Sequence, residues 1–354
     1  MSALVMWAVG IVALLGSCSN NPIYDDEGDC SVNYRLRFVY ERNLKWADAF
    51  ANEVKSVRLY AFDERGILVR EFRENGEQLA ADGYTMDLVL PAGKYQLLAW
   101  CGIDNPGAPD GAFTVPQATP GVTRMEDLTC RTGRMAKDGY EAWTDVRLPF
   151  MFHGRLNVEL PANDDGGDYF YTMPLTKDTN HFRIILQHLS GEDLDVRQFD
   201  FRMEDANGLL AYDNSLMADD LLTYGPYDTL AGTAGIVKDE PEAAADSRAL
   251  VYARTAIADF MVGRVTKERE RNMILTITSR EDGHTVARIP VIQYGLLGKP
   301  YYEELYGHRM GEQEFLDRQD EYIMTFVLDD NLRWISSVIM IESWRIVLHD
   351  YDVQ

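Results

Sequence analysis

Apolar side chains occupy every second position in many short segments of this chain. In residues 32–40 they fall at 32, 34, 36, 38 and 40, which is the period of a strand with one buried face. The same alternation returns at 84–90, 182–186 and 199–203, and turn sequences such as 63–66 stand between such segments. Short alternating strands separated by turn residues predict an all-β chain built as a β-sandwich.

The strand pattern appears in both halves of the chain. We expect a β-sandwich domain at 30–172 and a second at 173–354, each long enough to bury a core. Residues 102–145 are rich in Gly, Pro, Asp and Thr, and predict long loops with one short strand. In the second half, Asn207-Gly208 predicts a hairpin turn. Residues 312–322 are polar enough to predict an exposed helix.

The N-terminus has the form of a secretory signal. The run 3–15 is apolar except for Gly10, which is too short to span a bilayer but suits the apolar region of a signal peptide. Leu15-Gly16-Ser17-Cys18 then resembles a bacterial lipobox, although Met1-Ser2 lacks the usual Lys or Arg. We therefore expect a lipoprotein signal peptide at 1–17, acylation of Cys18 and a tether at 18–29. An ordinary cleaved signal, with Cys18 incidental, is the alternative.

The charge of the chain excludes two classes of partner. The net charge is −23, with 57 acidic residues against 34 basic ones. Such a balance repels phosphate backbones and anionic lipid headgroups, so the chain is not expected to bind nucleic acid. The lipid on Cys18 is then the only membrane contact that we expect.

Three cysteines follow Cys18, which allows one disulfide and one free thiol. Cys30 precedes the strand at 32–40, and Cys101 follows the strand at 95–100. If these strands pair antiparallel, the two sulfur atoms come within reach. We therefore favour a Cys30–Cys101 bond with Cys130 free over the other two pairings.

The motifs of common catalytic and metal sites are absent from the sequence. There is no phosphate-binding Gly-rich loop, HExxH, GxSxG or CxxC, and the histidines are scattered. We predict no catalytic residue, no metal site and no cofactor. Residues 163–165 with Asp168 are a weak calcium candidate, and a solvated turn explains them better. Tryptophans at 46, 100, 143, 334 and 344 could form a sugar platform, although strand tryptophans are more often part of a core.

Several segments together resemble the FimB-like fimbrium-anchoring lipoprotein family of Bacteroidales, the minor-fimbrium anchor subunits. The resemblance covers nearly the whole chain, and the combination is more specific than any single piece. Besides the lipobox, it is carried by Phe38-Val39-Tyr40, Asn43, Trp46-Ala47-Asp48-Ala49-Phe50, the segment 54–63 with Gly66, Leu90-Pro91-Ala92-Gly93-Lys94-Tyr95, Ala99-Trp100-Cys101-Gly102, His153-Gly154, Thr179-Asn180-His181-Phe182 and Trp344-Arg345-Ile346-Val347-Leu348.

This resemblance implies a fold and a role. The fold is two transthyretin-like β-sandwich domains in series, attached by lipid to the outer membrane and facing the cell surface. The role is non-enzymatic: the protein holds the base of a fimbria, contacts a fimbrial stalk subunit and helps to end assembly. The stalk subunits of such a system are implied to lose their first strand to a trypsin-like protease and to join by donor-strand exchange, whereas the anchor keeps its first strand.

Other roles stay open at this point. Arg42 and Lys45 follow the first strand, where a trypsin-like protease could cut, so a stalk or tip subunit remains an alternative to an anchor. A surface glycan-binding lipoprotein would need an exposed tryptophan cluster. A lipid-anchored hydrolase would need converging carboxylates in a pocket.

The last alternating segment is a candidate for the strand that meets a fimbrial partner. Trp344, Ile346 and Leu348 point to one side of a strand, as a donated strand requires. The alternative, which we favour, is the last core strand of the second domain.

Overall fold

The structure is a computed structural model that describes residues 32–137, 139–162, 166–239, 248–341 and 344–349, with side chains outside 234–252 and 337–349. The expectations for 1–31, which include the signal peptide, Cys18, the tether and Cys30, lie outside the described residues. Strands dominate the described part of the chain, as the sequence predicts, and the all-β fold class is confirmed.

Numbered along the chain, the strands are β1 (Val32–Val39), β2 (Ser56–Phe62), β3 (Leu68–Asn75), β4 (Met86–Asp87), β5 (Gly93–Cys101), β6 (Phe113–Thr114), β7 (Thr129–Thr132), β8 (Met135–Lys137), β9 (Tyr140–Thr144), β10 (Phe152–Leu160), β11 (Gly167–Lys177), β12 (Asn180–His188), β13 (Phe199–Asp205), β14 (Leu209–Ala211), β15 (Leu222–Tyr224), β16 (Asp228–Asp239), β17 (Arg248–Val262), β18 (Ile274–Ser279), β19 (Thr285–Pro290), β20 (Glu321–Leu328), β21 (Trp334–Ile341) and β22 (Trp344–His349). The α-helices are α1 (Phe50–Glu53), α2 (Val291–Leu296), α3 (Lys299–Tyr306) and α4 (Glu312–Arg318).

The first half is organised around a seven-stranded sheet in the order β3-β2-β5-β10-β11-β1-β4. One face covers a core that includes Leu36, Phe38, Leu59 and Leu97, all at most 1% exposed. The opposite face, at Tyr60 and other buried side chains of β2 and β5, belongs to a cluster that continues through the second half. The two halves therefore share buried apolar surface.

The second half contains two six-stranded sheets, β16-β17-β12-β20-β21-β22 and β19-β18-β13-β15-β9-β8. A three-stranded sheet, β14-β7-β6, packs beside them. β12 starts at the junction of the two halves and runs away from it, and β20 lies parallel to β12. Side chains such as Phe182, Ile184 and Phe326 fill the core between the layers.

The expected domain boundary near residue 172 falls inside a continuous strand. β11 runs to Lys177 and pairs with β10 through Lys177, so the first sheet ends there. Residues 113–144, which we expected in the first domain, form β6–β9. Of these, β7 pairs with β14 and β9 with β15 of the second half. The expectation of one short strand in 102–145 is wrong, because strands of two to five residues are too short for an alternating pattern to be visible.

The hairpin predicted at Asn207-Gly208 is wrong. β13 and β14 on either side of it lie in different sheets. Neither residue has the positive φ that a two-residue hairpin turn requires at this sequence. Instead the buried Asn207 side chain accepts a hydrogen bond from the Tyr224 hydroxyl (2.7 Å) and donates one to the carbonyl of Arg264 (3.0 Å).

The predicted exposed helix at 312–322 is only partly confirmed. α4 ends at Arg318 and β20 begins at Glu321. Phe315 and Leu316 are buried in the core of the second half, so α4 has one apolar face and one polar face.

Candidate functional site at the junction of the two halves

The first strand is built into the interior of its sheet. β1 pairs in parallel with β11 from Val32 to Val39 and antiparallel with β4 at Arg35 and Leu36. Its alternating side chains Tyr34, Leu36 and Phe38, and Tyr40 just after it, are all buried. β1 therefore closes the core of the first half from within the sheet.

The loop that follows, residues 40–48, is braced by its own side chains. The Asp48 carboxylate accepts hydrogen bonds from the backbone N–H groups of Tyr40 (2.9 Å) and Phe50 (3.0 Å). The buried Asn43 amide donates to the carbonyls of Tyr40 (2.9 Å) and Ala47 (2.7 Å). We call residues 40–48 the first-strand loop.

Two helices of the second half hold the first-strand loop from outside. The Tyr302 hydroxyl donates to the carbonyl of Leu44 (2.6 Å) and accepts from the Trp46 indole N–H (2.8 Å). The Arg318 guanidinium donates to the carbonyls of Glu41 (3.1 Å) and Asn43 (3.3 Å). We call Tyr302 on α3 and Arg318 on α4 the clasp.

Trp46 is the centre of these contacts. The Arg318 guanidinium carbon lies 3.6 Å from the centroid of the indole ring, and the His308 ring meets that ring edge-on at 4.4 Å. Trp46 has φ of 54°, a conformation that an aromatic residue adopts only where its surroundings fix it. A cation above an indole face contributes about 0.5–1 kcal/mol at a partly exposed site.

Arg42, a candidate cleavage position, also contacts residues at the junction. Its guanidinium donates to the Thr176 hydroxyl (3.1 Å) and lies 3.6 Å from the Asp317 carboxylate. Both partners lie at the junction, on β11 and on α4. Lys45 is exposed, and its backbone N–H donates to the Asn43 side chain (3.0 Å).

Two cations with little exposure lie at the junction beneath the loop, and Lys177 joins the two halves directly. The Lys177 ammonium, on a side chain that is only 3% exposed, bonds Glu53 of the first half (2.8 Å) and Asp320 of the second. The Arg264 guanidinium bonds Asp178 (3.1 Å) and Asp317 (3.0 Å). Because burial makes an unpaired ion costly, the Lys177 ammonium requires carboxylate partners at this place.

Asp178 lies in the short connection between β11 and β12 and is fully buried. One carboxylate oxygen accepts from the Asn214 amide (2.9 Å) and from Arg264. Burial raises the pKa of Asp178 to about 7, the Arg264 charge opposes the rise, and the Asp317 charge adds to it. The connection between the halves is thus a buried, hydrogen-bonded segment rather than an open linker.

No group of three or more His, Cys, Asp or Glu side chains in the described residues could hold a metal ion, so the histidines found there do not form a metal site. His153 and His181 each stand second in a strand. The buried His153 Nε2–H donates to the carbonyl of Tyr212 (2.9 Å), and burial lowers its pKa to about 4. Residues 163–165 of the calcium candidate lie outside the described part of the chain, and Asp168 accepts from the Asn33 amide (3.1 Å).

The reason given for the Cys30–Cys101 bond is wrong. β5 pairs antiparallel with β10, β10 antiparallel with β11, and β11 parallel with β1, so β1 and β5 run in the same direction with two strands between them. Val32 and Cys101 therefore stand at opposite ends of the sheet. Cys30 itself lies outside the described residues, and Cys101 and Cys130 are buried free thiols.

The tryptophans that are described do not form an exposed platform. Trp100 and Trp143 are buried, and Trp334 is partly buried against Phe326. Trp46 is 41% exposed, and the Arg318 guanidinium lies over its ring. Trp344, Ile346 and Leu348 lie on β22, an edge strand that pairs with β21 from Trp344 to His349. Their side chains lie outside the described part, so the choice between a donated strand and a core strand stays a prediction.

Sequence reasoning missed the clasp. Asn43 and Trp46 stood in the segments that carried the family resemblance, but no local pattern links them to Tyr302 or Arg318, more than 250 residues further on. The sequence around Lys177 likewise does not indicate that this lysine is buried. The described residues also contain no helix long and apolar enough to cross a membrane.

Comparisons with known proteins place the chain in a family. A family model described as fimbrillin-A associated anchor proteins Mfa1 and Mfa2 matches residues 26–350. The minor fimbrium anchoring subunit Mfa2 of Porphyromonas gingivalis is 24% identical over 230 residues, which cover 64% of this chain and 67% of the relative.

Solved structures agree in fold. A putative polysaccharide-binding protein and a putative adhesin, both from Bacteroides thetaiotaomicron, superpose with a TM-score of 0.72 each, at 27% and 29% identity. The matches cover 91% and 90% of this chain, and 99% and 97% of those chains. The fimbrial anchor protein Mfa2 of P. gingivalis superposes with a TM-score of 0.60 at 15% identity, over 90% of this chain and 100% of that one. The resemblance seen in the sequence is confirmed, and the chain belongs to the family of fimbrillin-A associated anchor proteins Mfa1 and Mfa2.

Proposed function

We propose that this chain is a lipid-anchored outer-membrane protein that holds the base of a fimbria and helps to end its assembly. The observation that carries the proposal is the state of the first strand. β1 lies inside its sheet, and the loop that follows it is held by Tyr302 and Arg318 of the other half. The proposed role needs a retained strand and a lipid on Cys18, and no reacting side chain or cofactor.

Retention of the first strand matters because its loss would open a groove in the sheet. A sheet that lacks an internal strand exposes two rows of unpaired backbone groups, which another chain can fill with a strand of its own. With β1 in place, the groove between β11 and β4 is occupied. A subunit in this state cannot accept a donated strand there, and so it ends a series of such additions.

Removing β1 would also be costly. Each of the side chains Tyr34, Leu36, Phe38 and Tyr40 is buried, and burial of one large apolar side chain contributes roughly 1.5–3 kcal/mol. The clasp adds hydrogen bonds at the very loop that a protease would have to enter. These features favour an anchor over a stalk or tip subunit cut after Arg42.

The directions of the first and last strands suit a protein that links a membrane to a fimbria. β1 runs towards the junction, so the chain enters the first sheet at Val32 on the far side from the second half. β22 runs parallel to β12 and away from the junction, so His349 lies at the far end of the second half. The tether to the membrane and the last strand are therefore expected at opposite ends of the molecule.

The proposed attachment is tested with Cys18→Ala in the native bacterium, with Asn21→Ala in the tether as the matched control. We expect Cys18→Ala to leave the membrane fraction, or to remain unprocessed, and to release fimbriae into the medium. Asn21→Ala should behave as the wild type. Processed Cys18→Ala protein that stays tightly bound to membranes would show that the lipid is not the attachment.

A further inference from the structure

The outer edge of β16 is a long sheet edge that no described strand covers. β16 is 12 residues long and is the first strand of its sheet, so it pairs only with β17 among the strands that are described. There is no charged residue between Asp228 and Lys238, and no proline. Leu230, Ala231 and Thr233 on this strand are exposed.

Other sheet edges in the described part of the chain carry features that prevent a strand of another chain from pairing with them. These features are short length, charge or proline, which natural sheets use against edge-to-edge association. The edges concerned are β3 with Arg70, Glu71, Arg73 and Glu74, the two-residue β4 and β6, the three-residue β8 and β14, β19 with Arg288 and Pro290, and β22 with Arg345. β16 has none of these between Asp228 and Lys238.

The backbone groups that face outwards on β16 can be identified. The Arg254 N–H donates to the Asp193 side chain (2.8 Å), and the Arg254 carbonyl accepts from Leu194 N–H (3.1 Å), so both groups of Arg254 point away from β16. Thr233 is the register partner of Arg254. Because opposed residues of an antiparallel pair point inwards or outwards together, Thr233 also points its N–H and carbonyl away from β17. Ala231, two residues earlier, does the same.

The same segment lacks support from a third strand. β12 pairs with β17 from Val262 only as far as Ala256, which stands opposite Ala231. Beyond that rung β16 and β17 continue as a two-stranded ribbon to the Asp239–Arg248 pair. A two-stranded ribbon is marginally stable in water, and an added strand would stabilise it.

We infer that the outer edge of β16 receives an extended segment of the fimbrial subunit that this chain holds, paired to it as an added strand. This rests on the proposed function, and it gives the anchor a contact that is separate from both its first and its last strand. The occupant has to be extended, because N–H and carbonyl groups that point outwards in a row are matched by the backbone of another strand. It has to carry little charge, since Ala231, Gly232, Thr233, Ala234 and Gly235 offer no partner for an ion.

The test uses full-length protein in the native bacterium. Thr233→Pro removes the outward N–H, a change that edge strands tolerate when that N–H faces solvent. Thr233→Ala removes the same side chain and keeps the N–H, and is the matched control. We expect Thr233→Pro to increase the fraction of fimbriae shed into the medium severalfold, while Thr233→Ala sheds as the wild type.

A second variant covers the case in which Thr233→Pro does not reach the membrane. Ala231→Lys with Thr233→Lys changes only exposed side chains and places charge on the edge, which blocks strand addition. It should shed fimbriae like Thr233→Pro. Wild-type retention by a folded, membrane-bound form of either variant would overturn the inference.

Two further measurements distinguish a failure of the β16 edge from a failure of the anchoring role. A strain that lacks the protein should shed its fimbriae; if it retains them, the proposed function fails, whatever the edge does. Light scattering of the purified protein should give a monomer. A dimer that Thr233→Pro abolishes would overturn the assignment, because the edge would then bind a second copy of this chain.

Discussion

The Tyr302 hydroxyl donates a hydrogen bond of 2.6 Å to the carbonyl of Leu44 and so joins a helix of the second half to the loop behind the first strand. Leu44 is buried at this contact, and Trp46 bonds the same hydroxyl from the other side. The loop in which a trypsin-like protease would have to act is thus part of the junction between the halves. Access to it requires the junction to open.

Weakening the clasp should make this loop more sensitive to trypsin. Tyr302→Phe removes the bonds to Leu44 and Trp46, and each such bond contributes about 1 kcal/mol. The two bonds together amount to about 2 kcal/mol. Because cleavage of a folded chain follows the population of the opened state, we expect roughly 30-fold faster cleavage after Arg42 or Lys45. Mass spectrometry of the fragments over time measures the rate. Tyr301→Phe, on the exposed neighbour in α3, is the control and should change nothing.

Arg318→Ala should have a similar effect by another route. It removes the bonds to Glu41 and Asn43 together with the cation over Trp46. We expect faster cleavage than in Tyr302→Phe, with the fold retained by circular dichroism. Equal cleavage rates in the wild type and in Arg318→Ala would mean that the clasp does not protect the loop.

Replacing the buried Lys177 should destabilise the whole protein. Lys177→Met leaves Glu53 and Asp320 facing each other without a cation, and breaking such a pair costs about 3–5 kcal/mol when it is fully buried. Both carboxylates are partly exposed, so we expect about 2–3 kcal/mol in the free energy of unfolding, measured with urea. Lys94→Met, at an exposed pair with Glu64, is the control and should cost less than about 1 kcal/mol. Similar values for the two variants would contradict the buried role of Lys177.

Asp178 should make stability depend on pH. Its pKa is raised to about 7 in the folded protein, so between about pH 4 and 7 the folded state holds a proton that the unfolded state has lost. Asp178 therefore reduces stability as the pH rises through this window, by about 1.4 kcal/mol for each unit of displacement. Asparagine cannot ionise. The free energy of unfolding of Asp178→Asn should therefore increase relative to that of the wild type as the pH rises from 4 to 7. A constant difference would show that Asp178 is ionised throughout.

Both cysteines of the described part should be present as thiols. Cys101 and Cys130 are buried, and burial raises the pKa of each thiol. We expect no alkylation of either in the native protein at pH 8, and alkylation of both after denaturation without a reductant. A disulfide at Cys101 in that experiment would support the Cys30–Cys101 bond, which the strand directions argue against.

The last strand can be tested by truncation. A chain ending at Ser343 lacks β22, whereas one ending at His349 lacks only residues 350–354 and is the control. As a core strand, β22 should be required for folding, because loss of a buried tryptophan alone costs several kcal/mol. We expect the shorter chain to aggregate and the control to fold. A shorter chain that folds but releases fimbriae would identify β22 as the donated strand.

The sequence predicted the strands because alternation is a local signal. Residues 32–40 carry that signal fully, and β1 ends at Val39. The junction could not be predicted in the same way, since Lys177 meets Glu53 and Asp320, which are more than 120 residues away on either side, only after both halves have folded. At Asn207-Gly208 the local signal was misleading. The pair predicts a hairpin turn, but Asn207 is buried and hydrogen-bonded to Tyr224 and Arg264 instead.

The central claim is that this chain keeps its first strand while it holds a fimbria. The most direct measurement is the mass and N-terminal sequence of the protein isolated from intact, fimbriated cells. We expect a chain that begins at acylated Cys18 and contains β1 without a break. A chain that begins at Asn43, just after Arg42, would contradict the account and identify the protein as a processed stalk or tip subunit.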